Sequence, residues 1–377
     1  MPERAEKTLA PAALKKIFQR RGLQPPRVLT LALTAVCNLA CSHCWVEAGP
    51  GDSRLQLPEA DLFRLLREFA ALGGEGVRIT GGEPLCHPAW LKALQQARAL
   101  GFDQLALQTN ATLLCAAEAA ELAALDFPGL AIQISLEGAD AATHDRIRGA
   151  GSFDAAMSGL QHLIAAGLGN RITLAFTEMR HNLQQFPQLL ELAETLGVGA
   201  VTAGTLITGG RAAEAEGDAT APATIAQYLA LIDRFESEQP FRELYRKLGN
   251  LTALEWWRGQ PADSGCCRLV EQPYLTPGGR LYPCLMCHAE AFAVTGVLQK
   301  PLHQALTEGV ELWAALQQTC RLRPTTITVC RSCPEQGVCA AGCPGRALGS
   351  LGDLQAPDDR CLLRQTVAEK RRREKNS

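Results

Sequence analysis

Apolar and polar positions follow two alternating periods along the first 205 residues. Short apolar runs that predict buried strands occupy residues 28–35, 76–80, 104–109, 130–135, 171–176 and 200–204. Stretches with apolar residues at helical spacing separate them, at residues 59–72, 116–125, 152–166 and 183–196. Strands that alternate with helices in this way predict an α/β fold with a parallel sheet and right-handed crossovers.

Three cysteines follow the first predicted strand at the spacing C-x3-C-x2-C. They are Cys37, Cys41 and Cys44, and no fourth cysteine lies nearby. Three thiolates can hold three corners of a four-iron cluster and leave one iron open, as a site that does chemistry requires. The triplet alone is also compatible with zinc, with a structural iron–sulfur centre and with buried unreactive thiols.

A turn motif follows the second predicted strand. It consists of Gly81, Gly82, Glu83 and Pro84, and it begins 37 residues after Cys44. Glycines let a backbone approach a ligand closely, and an acidic side chain with neighbouring carbonyls suits an ammonium group. Taken alone, the motif is a common turn.

The cysteine triplet and this turn together resemble the signature of the radical S-adenosylmethionine (SAM) enzymes. The resemblance implies a partial (β/α)6 barrel with functional residues at the carboxyl ends of its strands. It also implies that the open iron of a [4Fe–4S] cluster binds the methionine moiety of SAM. One electron then cleaves SAM, and the resulting 5′-deoxyadenosyl radical takes a hydrogen atom from a substrate. By this resemblance Cys37, Cys41 and Cys44 are catalytic, and residues 81–84 contact the methionine amino group.

The same resemblance assigns three further residues to the SAM site. Ser135 begins a Ser-Leu-Glu-Gly stretch, where the family usually has Asp instead of Glu137, and we expect it to touch the ribose or carboxylate of SAM. Arg148 would pair with the methionine carboxylate, with a surface or helix-capping arginine as the alternative. Asn110 ends the third strand and is otherwise an ordinary turn residue.

A second group of cysteines occupies the last third of the chain. Its members are Cys266, Cys267, Cys284, Cys287, Cys330, Cys333, Cys339, Cys343 and Cys361. Their spacing resembles the SPASM extension of peptide-modifying radical SAM enzymes, which holds two auxiliary [4Fe–4S] clusters. Spacing of this kind also occurs in zinc ribbons, which are the alternative.

The resemblance divides this group into two ligand sets. The outer cluster would take Cys330, Cys333, Cys339 and Cys361. The inner cluster would take Cys284 and Cys343, together with Cys266 or Cys267. Cys287 is a rival ligand there, and an iron without a cysteine ligand is a further alternative. The remaining cysteines, Cys86, Cys115 and Cys320, fit no pattern and are expected to be small apolar filler, although Cys86 lies close to the predicted site.

These patterns predict three segments in the 377 residues. They are an N-terminal helical segment (1–27), the barrel (28–245) and a small cysteine-rich α+β domain (246–377). The net charge of −2 gives no reason to expect a nucleic-acid partner. The start has no signal peptide, and no apolar run approaches the ~20 residues that span a bilayer. Reduced thiols then indicate the cytoplasm.

We therefore expect a radical SAM enzyme with SAM and three [4Fe–4S] clusters. The expected substrate is a ribosomally made peptide that becomes crosslinked, oxidised or epimerised. Because only 27 residues precede the first strand, a separate protein is expected to bind a leader peptide, and flavodoxin or ferredoxin to donate electrons. Leu285 stands where the related sulfatase maturases carry a catalytic Asp, which argues against that activity. The alternatives are tailoring of a haem precursor and a non-catalytic iron–sulfur electron carrier.

Overall fold

One sheet of nine strands organises the computed structural model, which describes residues 9–51, 55–214, 220–259 and 267–375. The strands are β1 (Val28–Ala32), β2 (Gly76–Thr80), β3 (Gln104–Thr109), β4 (Leu130–Ser135), β5 (Ile172–Glu178), β6 (Ala200–Thr205), β7 (Gly249–Leu251), β8 (Tyr274–Leu275) and β9 (Leu281–Tyr282). Their spatial order is β7-β6-β5-β4-β3-β2-β1-β8-β9. All neighbours pair in parallel except β8 and β9, which form an antiparallel hairpin. The predicted parallel α/β sheet is confirmed.

Helices connect the strands and continue into the C-terminal region. Those of the first part are α1 (Pro11–Arg20), α2 (Glu59–Ala71), α3 (Trp90–Ala99), α4 (Ala116–Ala124), α5 (Ala141–Arg148), α6 (Ser152–Ala165), α7 (Phe186–Leu196), α8 (Arg211–Glu214), α9 (Ile225–Ser237), α10 (Gln239–Leu248) and α11 (Thr252–Arg258). The C-terminal ones are α12 (Leu302–Thr326), α13 (Thr328–Arg331), α14 (Gln336–Cys339), α15 (Pro344–Leu351) and α16 (Cys361–Lys375). Among these described elements, no helix combines the length and apolar character needed to cross a bilayer.

The two faces of the sheet differ in character. On β4, Leu130, Ile132 and Ile134 are fully buried on the face that the helices cover. The alternate residues Gln133 and Ser135 point into the barrel, where they line a cavity. Side chains alternate between the faces of a strand, so a strand with one apolar and one polar set presents a polar inner surface. The barrel interior is therefore suited to a polar ligand.

The hairpin of the C-terminal region is part of the same sheet. Residues 30 and 31 of β1 pair with residues 274 and 275 of β8, so the hairpin extends the barrel past its first strand. At the opposite edge, β7 pairs with β6, and it lies beyond the predicted boundary at residue 245. The remainder of the C-terminal region is mainly helical, and the predicted domain boundaries stay a prediction.

Two element ends differ from the sequence pattern by three residues, more than the other ends do. The first strand ends at Ala32, three residues earlier than predicted, because the chain then forms isolated bridges such as Thr34 with Gln56 and enters the cysteine loop. The helix predicted from residue 183 begins at Phe186, after the 3-10 turn Leu183–Gln185. Pro187 stands in the first turn of α7, where its fixed φ favours a helix start.

Candidate active site

The loop after β1 carries three thiols. Cys37 and Cys41 are buried and Cys44 is half-buried. The N–H of Cys37 donates to the carbonyl of Gly49 at 3.0 Å, and the N–H of Cys44 donates to the carbonyl of Cys41 at 3.2 Å. Burial raises the pKa of Cys37 to about 12 and also raises the pKa of Cys41. Thiolates here therefore need a neighbouring cation, which bound iron would supply.

Gly81 and Gly82 bring the end of β2 against the start of this loop. The N–H of Gly82 donates to the carbonyl of Thr34 at 2.6 Å. A Cβ on Gly81 would stand 2.6 Å from the carbonyl oxygen of Thr34, and a Cβ on Gly82 would stand 2.4 Å from that of Val36. No side chain fits at such distances, so both positions require glycine. The two glycines thus allow two backbone segments of the protein to approach each other.

Glu83 ties the same turn to the end of β3. Its carboxylate is buried and accepts hydrogen bonds from the Thr109 hydroxyl at 2.6 Å, the Asn110 N–H at 2.8 Å and the Leu85 N–H at 3.2 Å. Burial raises the pKa of Glu83 to about 7. Three protein donors already engage this carboxylate, so its first role is to join the loops that follow β2 and β3.

Asn110 and Arg148 both approach the thiols. The Asn110 Nδ2 atom lies 3.9 Å from the sulfur of Cys37, and the Arg148 Nη1 atom lies 3.9 Å from the sulfur of Cys41. Both residues are in the site, so Asn110 is more than a turn residue and Arg148 is not a surface arginine. Hydrogen bonds and positive charge directed at sulfur stabilise a thiolate.

A buried ion pair holds Arg148 in this position. Its Nη2 atom lies 2.6 Å from Oε1 of Glu137, which is also 3.2 Å from Nε2 of His43. The N–H of Thr177 donates to Oε2 of Glu137 at 2.7 Å. Burial acts to raise the pKa of Glu137, but Arg148 and His43 outweigh it and hold the pKa well below its usual range. Glu137 is thus a permanent anion that orients the arginine beside Cys41.

A cavity of about 270 Å³ lies between these loops at the carboxyl ends of the strands. All predicted SAM-site residues except Pro84 line it, namely Cys37, Cys41, Cys44, Gly81, Gly82, Glu83, Asn110, Ser135 and Arg148. Pro84 is buried at the start of a short 3-10 helix. Among the described lining residues, no fourth cysteine is present. The donor set therefore fits a four-iron cluster with one iron left for a ligand.

The outer cysteine set of the C-terminal region surrounds one small void. Its lining includes Cys330, Cys333, Cys339 and Cys361. Arg364 also lines this void, and its charge lowers the pKa of Cys339 and Cys361 against the larger, opposing effect of burial. The four thiols that the spacing grouped together are thus adjacent in space.

The inner set contains Cys267, Cys284, Cys287 and Cys343. The Cys284 thiol accepts a hydrogen bond from the N–H of Cys287 at 3.3 Å. The hydrogen bond with Cys284, burial and the charges of Cys284, Cys343 and Cys267 all raise the pKa of Cys287. Cys287 is therefore central to this set. Cys266 lies outside the described residues.

Neither set is arranged around a single ion. In the part of the chain that the structure describes, no three His, Cys, Asp or Glu side chains converge on one metal position. Zinc needs four ligands within about 2.3 Å of one point, whereas a cubane spreads its thiolates over separate irons. Iron–sulfur clusters at these two sets stay a prediction, with zinc as the alternative.

Comparison with known proteins identifies the domain that carries the cysteine triplet. The sequence profile of the radical SAM superfamily matches residues 31–193, which contain the cysteine triplet, the Gly-Gly-Glu-Pro turn, the end of β1 and the whole of β2 to β5. The chain therefore carries a radical SAM domain. The protein is a radical SAM enzyme, and enzymes of this kind use SAM and a [4Fe–4S] cluster.

Two curated relatives match this radical SAM chain over most of their length. The mycofactocin maturase MftC of Mycobacterium tuberculosis (strain CDC 1551 / Oshkosh) is 29% identical, over 91% of this chain and 84% of the relative. The AdoMet-dependent heme synthase of Methanosarcina barkeri is 26% identical, over 90% and 97%. Streptococcus suis SuiB bound to the precursor peptide SuiA has the same fold, with a TM-score of 0.68 at 15% identity, over 91% of this chain and 78% of SuiB.

Arg211 is a radical SAM site residue without a sequence signal of its own. Its Nε atom donates to the carbonyl of Cys41 at 2.9 Å, and its Nη2 atom donates to that of Ala48 at 2.6 Å. A Cβ on the preceding Gly210 would stand 2.7 Å from the carbonyl oxygen of Cys44. The turn after β6 thus fixes the cysteine loop through hydrogen bonds to its carbonyl groups.

Aromatic residues join the cysteine loop to the C-terminal region. The ring of His288 lies 5.6 Å from that of Trp45, 5.4 Å from Tyr274 and 4.8 Å from Tyr282. Tyr274 and Leu285 also line the cavity, as do Gln108 and Gln133 on the barrel strands. Sequence analysis missed Tyr274 because only the pairing of the hairpin with β1 brings it to the cavity.

We expect Gly82→Ala to slow 5′-deoxyadenosine formation by about 10²-fold, because its Cβ would collide with the Val36 carbonyl and shift the cysteine loop by a fraction of an ångström or more. The rate is measured with SAM and dithionite after anaerobic reconstitution. Gly278→Ala is the matched control, since nothing lies within 4 Å of the added Cβ. Equal rates in the two variants would show that Gly82 does not position the loop.

Proposed function

We propose that this radical SAM enzyme is a peptide maturase. The observation that carries the proposal is the position of the inner cysteine set, because Leu285, next to Cys284, forms part of the wall of the SAM cavity. A redox centre at that wall stands beside any substrate in the barrel. The likeness to a mycofactocin maturase and to the fold of a peptide-bound enzyme supports a peptide as that substrate.

In this proposal the protein prepares the site before chemistry begins. Cys37, Cys41 and Cys44 would hold the cluster, and the cavity beside them would hold SAM. When bound, the cluster and SAM supply an electron and a 5′-deoxyadenosyl radical that takes a hydrogen atom from the substrate. Glu137 orients Arg148 toward the thiolates, and Tyr274 and Leu285 limit the access of water.

Two auxiliary [4Fe–4S] clusters are part of the proposal, which brings the total to three. The outer cluster would be held by Cys330, Cys333, Cys339 and Cys361. The inner cluster would be held by Cys267, Cys284, Cys287 and Cys343, a choice that rests on the burial and contacts of Cys287. Their role would be to accept the electron that a peptide radical releases on oxidation.

We expect Cys287→Ala to bind about one third less iron than the wild-type protein, because the inner cluster loses one of four thiolates. Iron is measured per protein after anaerobic reconstitution. Cys320→Ala is the matched control, since Cys320 is also buried but lies in α12 outside both cysteine sets. An unchanged iron content in Cys287→Ala would return the fourth ligand to Cys266 or to an open iron.

Three further elements complete the proposal. A separate leader-binding protein would present the peptide, a flavodoxin or ferredoxin would reduce the enzyme, and the reaction would take place in the cytoplasm. The predicted segments 1–27, 28–245 and 246–377 remain the proposed domain organisation.

The test compares two substrate classes on anaerobically reconstituted protein with SAM and dithionite. One arm contains deuterated ribosomal precursor peptides encoded near its gene, and the other contains tetrapyrrole haem precursors, because a heme synthase is also among the relatives. Deuterium that moves from a peptide into 5′-deoxyadenosine supports the maturase. Turnover with tetrapyrroles alone would replace it with haem-precursor tailoring. No 5′-deoxyadenosine from iron-loaded protein would favour an electron carrier.

A further inference from the structure

Large apolar side chains are exposed around the outer cysteine set. Of the seven exposed large apolar residues in the described chain, five lie between residues 322 and 362. Three of these directly neighbour an outer cysteine: Val329 beside Cys330, Val338 beside Cys339, and Leu362 beside Cys361, with exposures of 55%, 46% and 63%. Clustered exposed apolar residues commonly mark a surface that another protein covers.

Two grooves connect this apolar rim to a positively charged surface. The first groove, of about 330 Å³, is lined by Val338 and Cys339 and also by Arg371 and Lys375 of α16. The second groove, of about 520 Å³, shares Arg371 and Lys375 and adds Arg246 of α10. The two grooves thus form one continuous face, which we call the α16 face and define by Arg246, Val338, Arg371 and Lys375.

The cations of the α16 face are available to a partner. Within the described residues, Arg246, Arg371 and Lys375 have no carboxylate in ion-pair contact. Lys370, by contrast, pairs with Asp233 at 2.8 Å, and Arg372 pairs with Glu335.

The acidic residues of the second groove are already engaged. Glu236 accepts a hydrogen bond from the Trp257 indole at 2.5 Å, and Glu374 pairs with Lys370 at 2.6 Å. The α16 face therefore has surplus positive charge beside its apolar rim.

We propose that the α16 face docks a small acidic flavin-containing electron carrier of the flavodoxin type, and this rests on the proposed outer cluster. Negative charge around the flavin would complement Arg246, Arg371 and Lys375, and the apolar flavin edge would meet Val338. Electrostatic steering towards a small interface suits an encounter that must form and separate in every electron transfer. In each encounter the reduced flavin loses one electron, and the cluster at the outer cysteines gains it.

The test measures binding and electron transfer separately. Holo protein is titrated with oxidised flavodoxin to obtain the Kd, and flavin absorbance follows anaerobic oxidation of the reduced carrier. Arg371→Glu with Lys375→Glu reverses two charges of the α16 face. Lys15→Glu with Lys16→Glu is the matched control, because both lysines are exposed on helix α1 and the net charge changes equally. Val338→Ser is the rim variant, and it probes the apolar part of the α16 face.

We expect the α16 reversal to weaken flavodoxin binding at least about tenfold, and a rise in salt to weaken wild-type binding similarly. The control should change less than twofold, and the rim variant should slow electron transfer without altering the salt dependence. The proposal would be overturned if wild-type protein bound no flavodoxin, or if the α16 reversal and the control lost the same affinity for it. A reversal variant that binds the substrate peptide more weakly but binds flavodoxin as the wild type does would also overturn it. Dithionite-driven 5′-deoxyadenosine formation by the same variants reports on the proposed function independently.

Discussion

Replacing Cys37, Cys41 and Cys44 together by alanine should abolish 5′-deoxyadenosine formation, a fall of at least about a thousandfold. The three thiols are the only cysteines among the described residues that line the SAM cavity, so no neighbouring thiol can take their place. Without them the cavity loses its iron and with it the electron that SAM cleavage needs. Product is quantified by mass spectrometry after anaerobic reconstitution and reduction.

A matched triple variant controls for the loss of three cysteines. Cys86, Cys115 and Cys320 belong to neither ligand set, and their joint replacement by alanine should leave turnover close to wild type. The first variant should keep the iron of the outer and inner sets, which distinguishes a local loss from unfolding. If the variant without Cys37, Cys41 and Cys44 kept its auxiliary iron and still formed 5′-deoxyadenosine, these three cysteines would not be the ligands of the SAM-binding cluster.

Replacing Glu137 by alanine should lower the free energy of unfolding by about 3–5 kcal/mol. The change leaves the guanidinium of Arg148 buried without its partner and removes the acceptor of the Thr177 N–H. Urea unfolding under anaerobic, reducing conditions measures the loss. Glu75→Ala is the control, because its pair with Arg27 is exposed and pairs of that kind contribute about 0–1 kcal/mol.

The same ion pair predicts a pH dependence. Arg148 and His43 lower the pKa of Glu137 in the folded protein, so its contribution to stability is present above the unfolded-state pKa of about 4.3. The contribution decreases as the pH falls from that value and is lost at the lower pKa of the folded state, because the unfolded carboxylate takes up a proton first while the folded one stays ionised. The difference in stability between wild type and Glu137→Ala should therefore shrink in acid. A constant difference down to pH 2 would contradict the pairing.

Strand positions and the cysteine triplet were predictable because their signals are local. Strands β2, β3 and β4 have the predicted bounds, since an apolar run between turn residues needs no distant partner to be recognised. The triplet needs only its spacing, as one short loop delivers all three thiols. The roles of Gly82 and Glu83 were not predictable, because each is set by backbone atoms of another strand's loop.

By itself, the sequence determined the family, the parallel sheet and the three thiols beside one open ligand position. Tertiary structure alone decided that Glu137 holds Arg148 beside Cys41 and that Arg211 binds carbonyl groups of the cysteine loop. It also decided that the hairpin of the C-terminal region closes the SAM cavity through β1. The physical reason is that periodicity and spacing encode contacts within one element. Charge pairing, close backbone approach and cavity walls join residues of different elements, from 11 positions apart for Glu137 and Arg148 to 170 for Arg211 and Cys41, and only the folded sheet brings them together.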